Sequence, residues 1–295
     1  MDNEISLIEK TGARVVAFTD PGYPLLLREI VDPPAMLYVK GELPDFGNPA
    51  VAVVGTRRPS HYGLKMSEVL ARDLAYSGVT VVSGMARGCD AAAHKGALSA
   101  KGRTTAVLGT GVDVPYPREN AKLYEQILED GAVISEQPMS TPPAPYNFPK
   151  RNRIISGLSL GVVVVEAPLR SGALQTARLA LDYNRDVFAV PGQVTSPKSM
   201  GTNRLIKEGA MLVESAGDVL GALNITVGRL AGAEPTALKG DERVIWDSLK
   251  DAPAHIDAVI SATGLSAPAA IALLLDMELR GLVAQRPGMC FLRRG

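Results

Sequence analysis

Between residues 48 and 223 the chain alternates apolar strand runs with helical stretches, without an internal repeat, and this alternation limits the available folds more than any other feature. A short apolar run rich in β-branched residues is followed by a turn, then by a stretch with apolar residues at helical spacing. "AVAVVG" (50–55), "VTVVSG" (79–84), "TTAVLGTG" (104–111), "AVISE" (132–136), "GVVVVEAP" (161–168) and "DVFAVPG" (186–192) are six such runs, and "AMLVES" (210–215) is a weaker seventh. The intervening stretches, such as "LKMSEVLARDLAYSG" and "ENAKLYEQILEDG", place leucines and isoleucines on one helical face and stop at glycine. Strands that are apolar on both faces and joined by helices predict an α/β fold with a Rossmann-like, doubly wound parallel sheet. In such a sheet the ligand crevice lies at the carboxyl ends of the strands.

The flanking segments differ. Residues 1–47 are proline-rich ("DPGYPLLLREIVDPPAMLYVKG") and are expected to form a short lead-in that packs on the core. Residues 224–240 have the composition of a linker. From 241 to 295, three short helical stretches and a terminal hairpin predict a winged helix. The formal net charge is zero, so a polyanionic partner would need a local patch rather than a global field. Cys89 and Cys290, far apart in sequence, suggest no disulfide framework and fit a reducing cytoplasm. The acidic start, "MDNEISLIEK", lacks a signal-peptide core, and no apolar run reaches the ~20 residues that span a bilayer. A soluble cytoplasmic protein without membrane contact is expected.

Several enzyme motifs fail on inspection. No P-loop is present, and "GTGVDV" has Val114 where a dinucleotide fingerprint needs its third glycine. "GLSLG" (157–161) runs from helix into strand, the reverse of a nucleophile elbow. His61, His94 and His255 have no ligand spacing; Asp90 and His94 sit four apart on an expected helix, better read as a local pair or cap than as a metal site. No metal or cofactor is expected.

What remains is suited to anions. "GTRRPS", "SGMARGCD" and "GTGVDVPYP" follow the first three strands, and their backbone N–H groups face the crevice beside helix N-termini. Arg57, Arg58 and Arg87 add charge there, Ser60 and Ser83 add hydroxyls, and Gly84 lets the second turn close tightly. The segment "PYNFPKRNRIISG" (145–157) clusters Lys150, Arg151 and Arg153 just after Tyr146 and Phe148, with no acidic residue from Gln137 to Val165. Rings beside cations suit single-stranded nucleic acid, because rings stack on bases while charges follow the backbone. Cations at a helix N-terminus oppose the macrodipole and call for an anion nearby. Glu136 and Glu166 each end a strand, which leaves open a hydrolase with a general acid and base.

Taken together, "VAVVGTRRPSHYG", "TVVSGMARGCDAAAHKGAL", "TTAVLGTGVDVPYP", "NFPKRNRIISGLS", "VVVVEAPLRSGALQTARLALDYNRDVFAVPG" and "GTNRLIKEGA" resemble, in order and spacing, the bacterial DNA-processing protein A (DprA, or Smf) family. The resemblance covers residues 15–222 and, more loosely, the tail. It implies a non-catalytic Rossmann fold that binds and protects single-stranded DNA in natural transformation and recombination, loads RecA recombinase onto it, and dimerises through that domain. Carried over by position, it implicates Arg57, the segment Phe148, Pro149, Lys150, Arg151, Asn152 and Arg153, and the turn Arg170, Ser171 and Gly172. The best enzymatic alternative is the LOG-type nucleotide phosphoribohydrolases, but with Thr176 set on their loop threonine, Leu179 stands where a catalytic glutamate is required. A duplex-binding regulator is a further alternative. Its recognition helix "SAPAAIALLLDMELRG" is apolar and arginine-poor, which suits packing or partner docking better than duplex.

Overall fold

The computed structural model describes residues 2–43, 48–225, 238, 240–249, 254–279, 282–286 and 288–293. Elements in chain order are α1 (Asp2–Thr11), β1 (Arg14–Ala17), α2 (Leu25–Arg28), β2 (Met36–Gly41), β3 (Ala50–Val54), α3 (His61–Tyr76), β4 (Thr80–Ser83), α4 (Cys89–Ser99) and β5 (Thr104–Leu108). They continue with α5 (Ala121–Asp130), β6 (Ala132–Ser135), α6 (Asn147–Gly157), β7 (Gly161–Val164), α7 (Gly172–Asp182), β8 (Asp186–Ala189), α8 (Met200–Lys207), β9 (Met211–Leu212) and α9 (Ala216–Ala222).

These strands form one nine-stranded sheet in the order β1-β2-β6-β5-β4-β3-β7-β8-β9. From β6 to β9 every pairing is parallel, whereas β1–β2 and β2–β6 are antiparallel. The N-terminal residues therefore do more than pack on the core. They extend its sheet, with Leu37 and Val39 of β2 joining one core face. A short hairpin-like pairing can be antiparallel because it needs no crossover helix.

Alternation along each strand explains the double winding. Ala52 and Val54 of β3 face one cluster with Val162, Val164, Ile154, Ile155, Ala177 and Ala180, so α6 and α7 cover that side. Val51 and Val53 face the other, with Leu70, Leu74, Ala93, Val163 and Val219 from α3, α4, β7 and α9. α5 covers the neighbouring strands through Leu123, Tyr124 and Ile127. Each fully buried valine or leucine contributes roughly 1.5–3 kcal/mol, so the continuous apolar runs are the main stabilising term of this sheet.

The strand order reverses at β3, between β4 on one side and β7 on the other, which is where a doubly wound sheet opens its crevice. Thr56 N–H donates to the Glu166 carbonyl (2.7 Å), tying the two strand ends together at that point.

Chain contacts divide the molecule into two compact units, 1–230 and 231–295. Of the expected linker, residues 226–237 and 239 lie outside the described residues. The second unit holds α10 (Asp241–Ser248), β10 (Ala254–His255), α11 (Ile256–Thr263), α12 (Ala267–Leu279), β11 (Val283–Arg286) and β12 (Cys290–Arg293), with sheet order β10-β12-β11. Ile245, Leu249, Val259, Leu274, Met277 and Phe291 form its core, the arrangement of a winged helix. The outer face of α12 exposes Pro268, Ile271, Ala272 and Leu275 and carries no cation among them. No single helix among the described residues is long and apolar enough to cross a membrane.

Candidate nucleic-acid interface

The site is assembled where three strand-end turns meet the start of α6. Gly88, between the second turn and α4, has φ +80°, and a Cβ there would lie 2.5 Å from the Thr56 carbonyl oxygen. Only glycine lets these two turns approach so closely. The third turn carries Tyr116, whose ring centroid is 5.5 Å from that of Phe148 in the first turn of α6. The Arg57 guanidinium lies over the Phe148 ring, 5.3 Å from its centroid. Phe148 is itself a helical residue, and Tyr146 is the N-cap.

A cleft of about 540 Å³ opens beneath this cluster, lined by Arg57, Phe148, Arg151, Asn152, Arg170, Ser171 and Gly172 together with Gly55, Thr56, Asp90 and Tyr116. Arg57 and Arg170 are exposed, and neither has a carboxylate partner among the described residues. Ser171 caps α7, its hydroxyl accepting from Ala173 N–H at 3.2 Å. Asn152 Nδ2 donates to the Gly172 carbonyl at 3.5 Å, bridging α6 to that cap.

Arg151 plays a different part. It is buried, and its Nη1 donates to the carbonyls of Gly84 (2.8 Å) and Val107. It faces the buried Asp90 across Gly84, where a Cβ would sit 2.6 Å from Arg151 Nη2 and 2.7 Å from Asp90 Oδ2. Burial lowers the Arg151 pKa to about 10 and raises that of Asp90, each charge partly offsetting the other. Gly84 thus makes room for this pair rather than lining the cleft. Asp90 does not meet His94. His94 Nδ1 lies 2.7 Å from Thr104 Oγ1, which gives its own proton to the Val81 carbonyl, so the imidazole donates from Nδ1 and leaves Nε2 buried without a partner. That burial lowers the His94 pKa to about 3.

Other expected site residues serve the scaffold. Ser83 Oγ is buried and donates to the Val53 carbonyl at 2.7 Å. Ser60 caps α3, accepting from Gly63 N–H at 3.1 Å while its own N–H and hydroxyl donate to the Glu166 carboxylate. Arg87 pairs with Glu119 at 2.6 Å on the surface, and Arg58 is exposed beside the cleft without lining it. Arg153 pairs with Glu136 and, at 3.3 Å, with Asp32. The anion that cations near the start of α6 call for is therefore supplied in part by the protein's own carboxylates.

A second cavity of about 640 Å³ adjoins the first, and Pro149 and Gln175 line both. It holds Lys150, Arg153, Glu136, Asp32, Tyr146 and Asn147. Lys150 is exposed, its Nζ 5.8 Å from the Tyr146 ring. Glu136 lines this second cavity, while Glu166 lies at 3% exposure under Ser60 and lines neither, so the two do not form a carboxylate pair. The serine of "GLSLG", Ser159, is fully buried, its hydroxyl donating to the Ile155 carbonyl. No group of three metal-ligating side chains occurs among the described residues.

A family model for DNA recombination-mediator protein A matches residues 14–224, and one for the DprA winged helix domain matches 230–289. The chain belongs to the DprA/Smf family. Protein Smf of Escherichia coli (strain K12) is 39% identical over 297 residues, which cover 98% of this chain and 79% of that protein. DNA processing protein DprA of Streptococcus pneumoniae is 47% identical over 201 residues, covering 68% and 71%. The X-ray structure of the S. pneumoniae DprA superposes with a TM-score of 0.69 at 43% identity, covering 74% of this chain and 77% of that one. A DprA structure from Helicobacter pylori, described as showing a unique single-stranded DNA binding mode, superposes at 0.65 with 32% identity, covering 72% and 95%.

Within this DprA-type frame, sequence reasoning missed Tyr116, Thr56, Gln175 and Asn147 as lining residues. Tyr116 stands between prolines at the end of a glycine-rich turn, the one signal that pointed to it. Asn147 gave none, because nothing in the sequence shows which way a helix-start amide turns.

Proposed function

We propose that the chain binds single-stranded DNA along the first cleft, with phosphates on the exposed arginines and unstacked bases against the Tyr116–Phe148 rings. One observation carries this reading: Arg57, with no carboxylate ion pair among the described residues, lies 5.3 Å from the centroid of Phe148, whose ring neighbours Tyr116, and all three line one cleft with Arg170. A double helix keeps its bases stacked and cannot use such rings, whereas a single strand can, at about 1–3 kcal/mol per base. Membership of the DprA family and the H. pylori structure support the same reading. The site acts without catalysis. Glu136 and Glu166, the carboxylates a hydrolase would need, are engaged by separate partners, Arg153 and Ser60, and do not line one cavity. Following the family resemblance, the bound strand is protected and passed to RecA recombinase by a cytoplasmic homodimer.

Matched single- and double-stranded oligonucleotides, titrated at two salt concentrations, test the reading. The single strand binds more tightly, with log affinity falling by about 0.7 per phosphate contact for each decade of salt. Equal affinity for duplex, or no salt dependence, would refute it. RecA delivery is checked separately, as faster RecA filament assembly on a strand already coated with single-strand-binding protein, and the dimer by sedimentation. Release of free base from any nucleoside monophosphate would revive the hydrolase alternative.

A further inference from the structure

The second cavity differs from the first in what it can hold. The first is lined by three guanidinium groups and one carboxylate, those of Arg57, Arg151, Arg170 and Asp90. In the second, Lys150 and Arg153 are matched by Asp32 and Glu136, leaving no net charge for a phosphate. What it offers is a flat ring and base-pairing groups. Tyr146 is 67% exposed. Asn147 is 3% exposed, and its carboxamide has no hydrogen-bond partner among the described residues, although it lines the cavity. Its polar atoms are not sealed from solvent, so the carboxamide stays open to a ligand edge in the cavity. Glu136 gives one oxygen, Oε1, to Arg153 and leaves the other without a partner among the described residues.

We propose that this cavity is a base-reading subsite that takes one unpaired base bearing an exocyclic amino group, cytosine above all, and discriminates against uracil and thymine. The inference rests on the single-strand reading above and adds selectivity to it. Pro149 and Gln175 border both cavities, so a strand whose phosphates lie on Arg57 and Arg170 can cross them and lower its next base beside Tyr146. The Asn147 amide can donate to cytosine N3 while the free Glu136 oxygen accepts from the N4 amino group. Uracil presents a carbonyl at that position, and two acceptors would then face each other. Lys150, at the rim over Tyr146, meets the backbone of the entering nucleotide.

The full-length protein is titrated at neutral pH with labelled oligo-dC and oligo-dU of equal length, which differ only on the edge in question. The expected preference for oligo-dC is about fivefold or more (~1 kcal/mol, the low end for one good base contact). Glu136→Gln replaces the acceptor with an amide that can also donate, and brings the ratio to one or below. Asn147→Leu brings oligo-dC down to the oligo-dU affinity. Equal, salt-dependent binding of both oligomers by the unaltered protein overturns the subsite and leaves the single-strand reading standing. So does a preference that survives Glu136→Gln. Failure to bind either oligomer overturns the single-strand reading itself.

Discussion

The floor and the rim of the first cleft are built from the same residue types to opposite ends. On the floor, Arg151 is buried, doubly bonded to the Gly84 and Val107 carbonyls, and balanced by Asp90; removing it takes a donor from both carbonyls and leaves Asp90 without its main counter-charge. On the rim, Arg57 and Arg170 are exposed and form no ion pair with a carboxylate among the described residues, and Arg57 lies over the Phe148 ring. A guanidinium that the protein has already satisfied holds the site in shape, and one left unsatisfied is available to a ligand. The two kinds stand in separate sequence motifs, and residue type alone does not tell them apart.

The sharpest way to break this contrast is Arg151→Ala. It should cost about 3–5 kcal/mol of stability in urea unfolding, because Asp90 is left buried and uncompensated. A near-neutral change would move Arg151 to the rim class. Next comes Phe148→Leu, which keeps an apolar side chain under Arg57 but removes the ring. Oligo-dU binding should weaken by roughly 1–3 kcal/mol with urea stability nearly unchanged, and retained affinity would show that no base stacks there.

The buried groups behind the floor should also respond to acid. His94 has its pKa lowered from 6.5 to about 3, so the unfolded chain takes up a proton that the folded chain refuses. Stability is then lost as pH falls from 6.5 towards 3, by up to about 1.4 kcal/mol per unit from this group. Asp90, raised by burial, acts in the opposite sense, so the measurement is the difference between the unaltered protein and His94→Gln. That difference should open below pH 6.5; parallel curves would place His94 in contact with water. The smallest effect is expected of Arg170→Ala. Its stability should stay within ~0.5 kcal/mol, and its salt slope should drop by about 0.7. An unchanged slope would remove Arg170 from the phosphate path.

The sequence made the parallel sheet legible because β3, β5 and β7 are buried on both faces and must be apolar throughout. It did not show that β1 and β2 continue that sheet antiparallel, since proline-rich composition conceals a four-residue edge strand. In the site, residue type located the basic segment well, and the cleft does form around it. Direction was the illegible part. Lys150 points outward, Arg151 inward and Arg153 towards Glu136, three fates for neighbouring cations decided by helix rotation and by carboxylates distant in sequence. Ser60 and Ser83 look like phosphate donors until Glu166 and the Val53 carbonyl are seen to claim their hydroxyls.

The unpaired arginines of the rim also bear on how a strand arrives. The chain as a whole carries no net charge, so the attraction they exert fades over about one Debye length, ~8 Å at physiological ionic strength. A polyanion farther away feels almost nothing, and encounter proceeds at an unsteered diffusional rate. Capture then depends on how long the first nucleotide stays once it has stacked. Such a protein would show modest association rates that salt changes little, and dissociation rates that salt changes strongly.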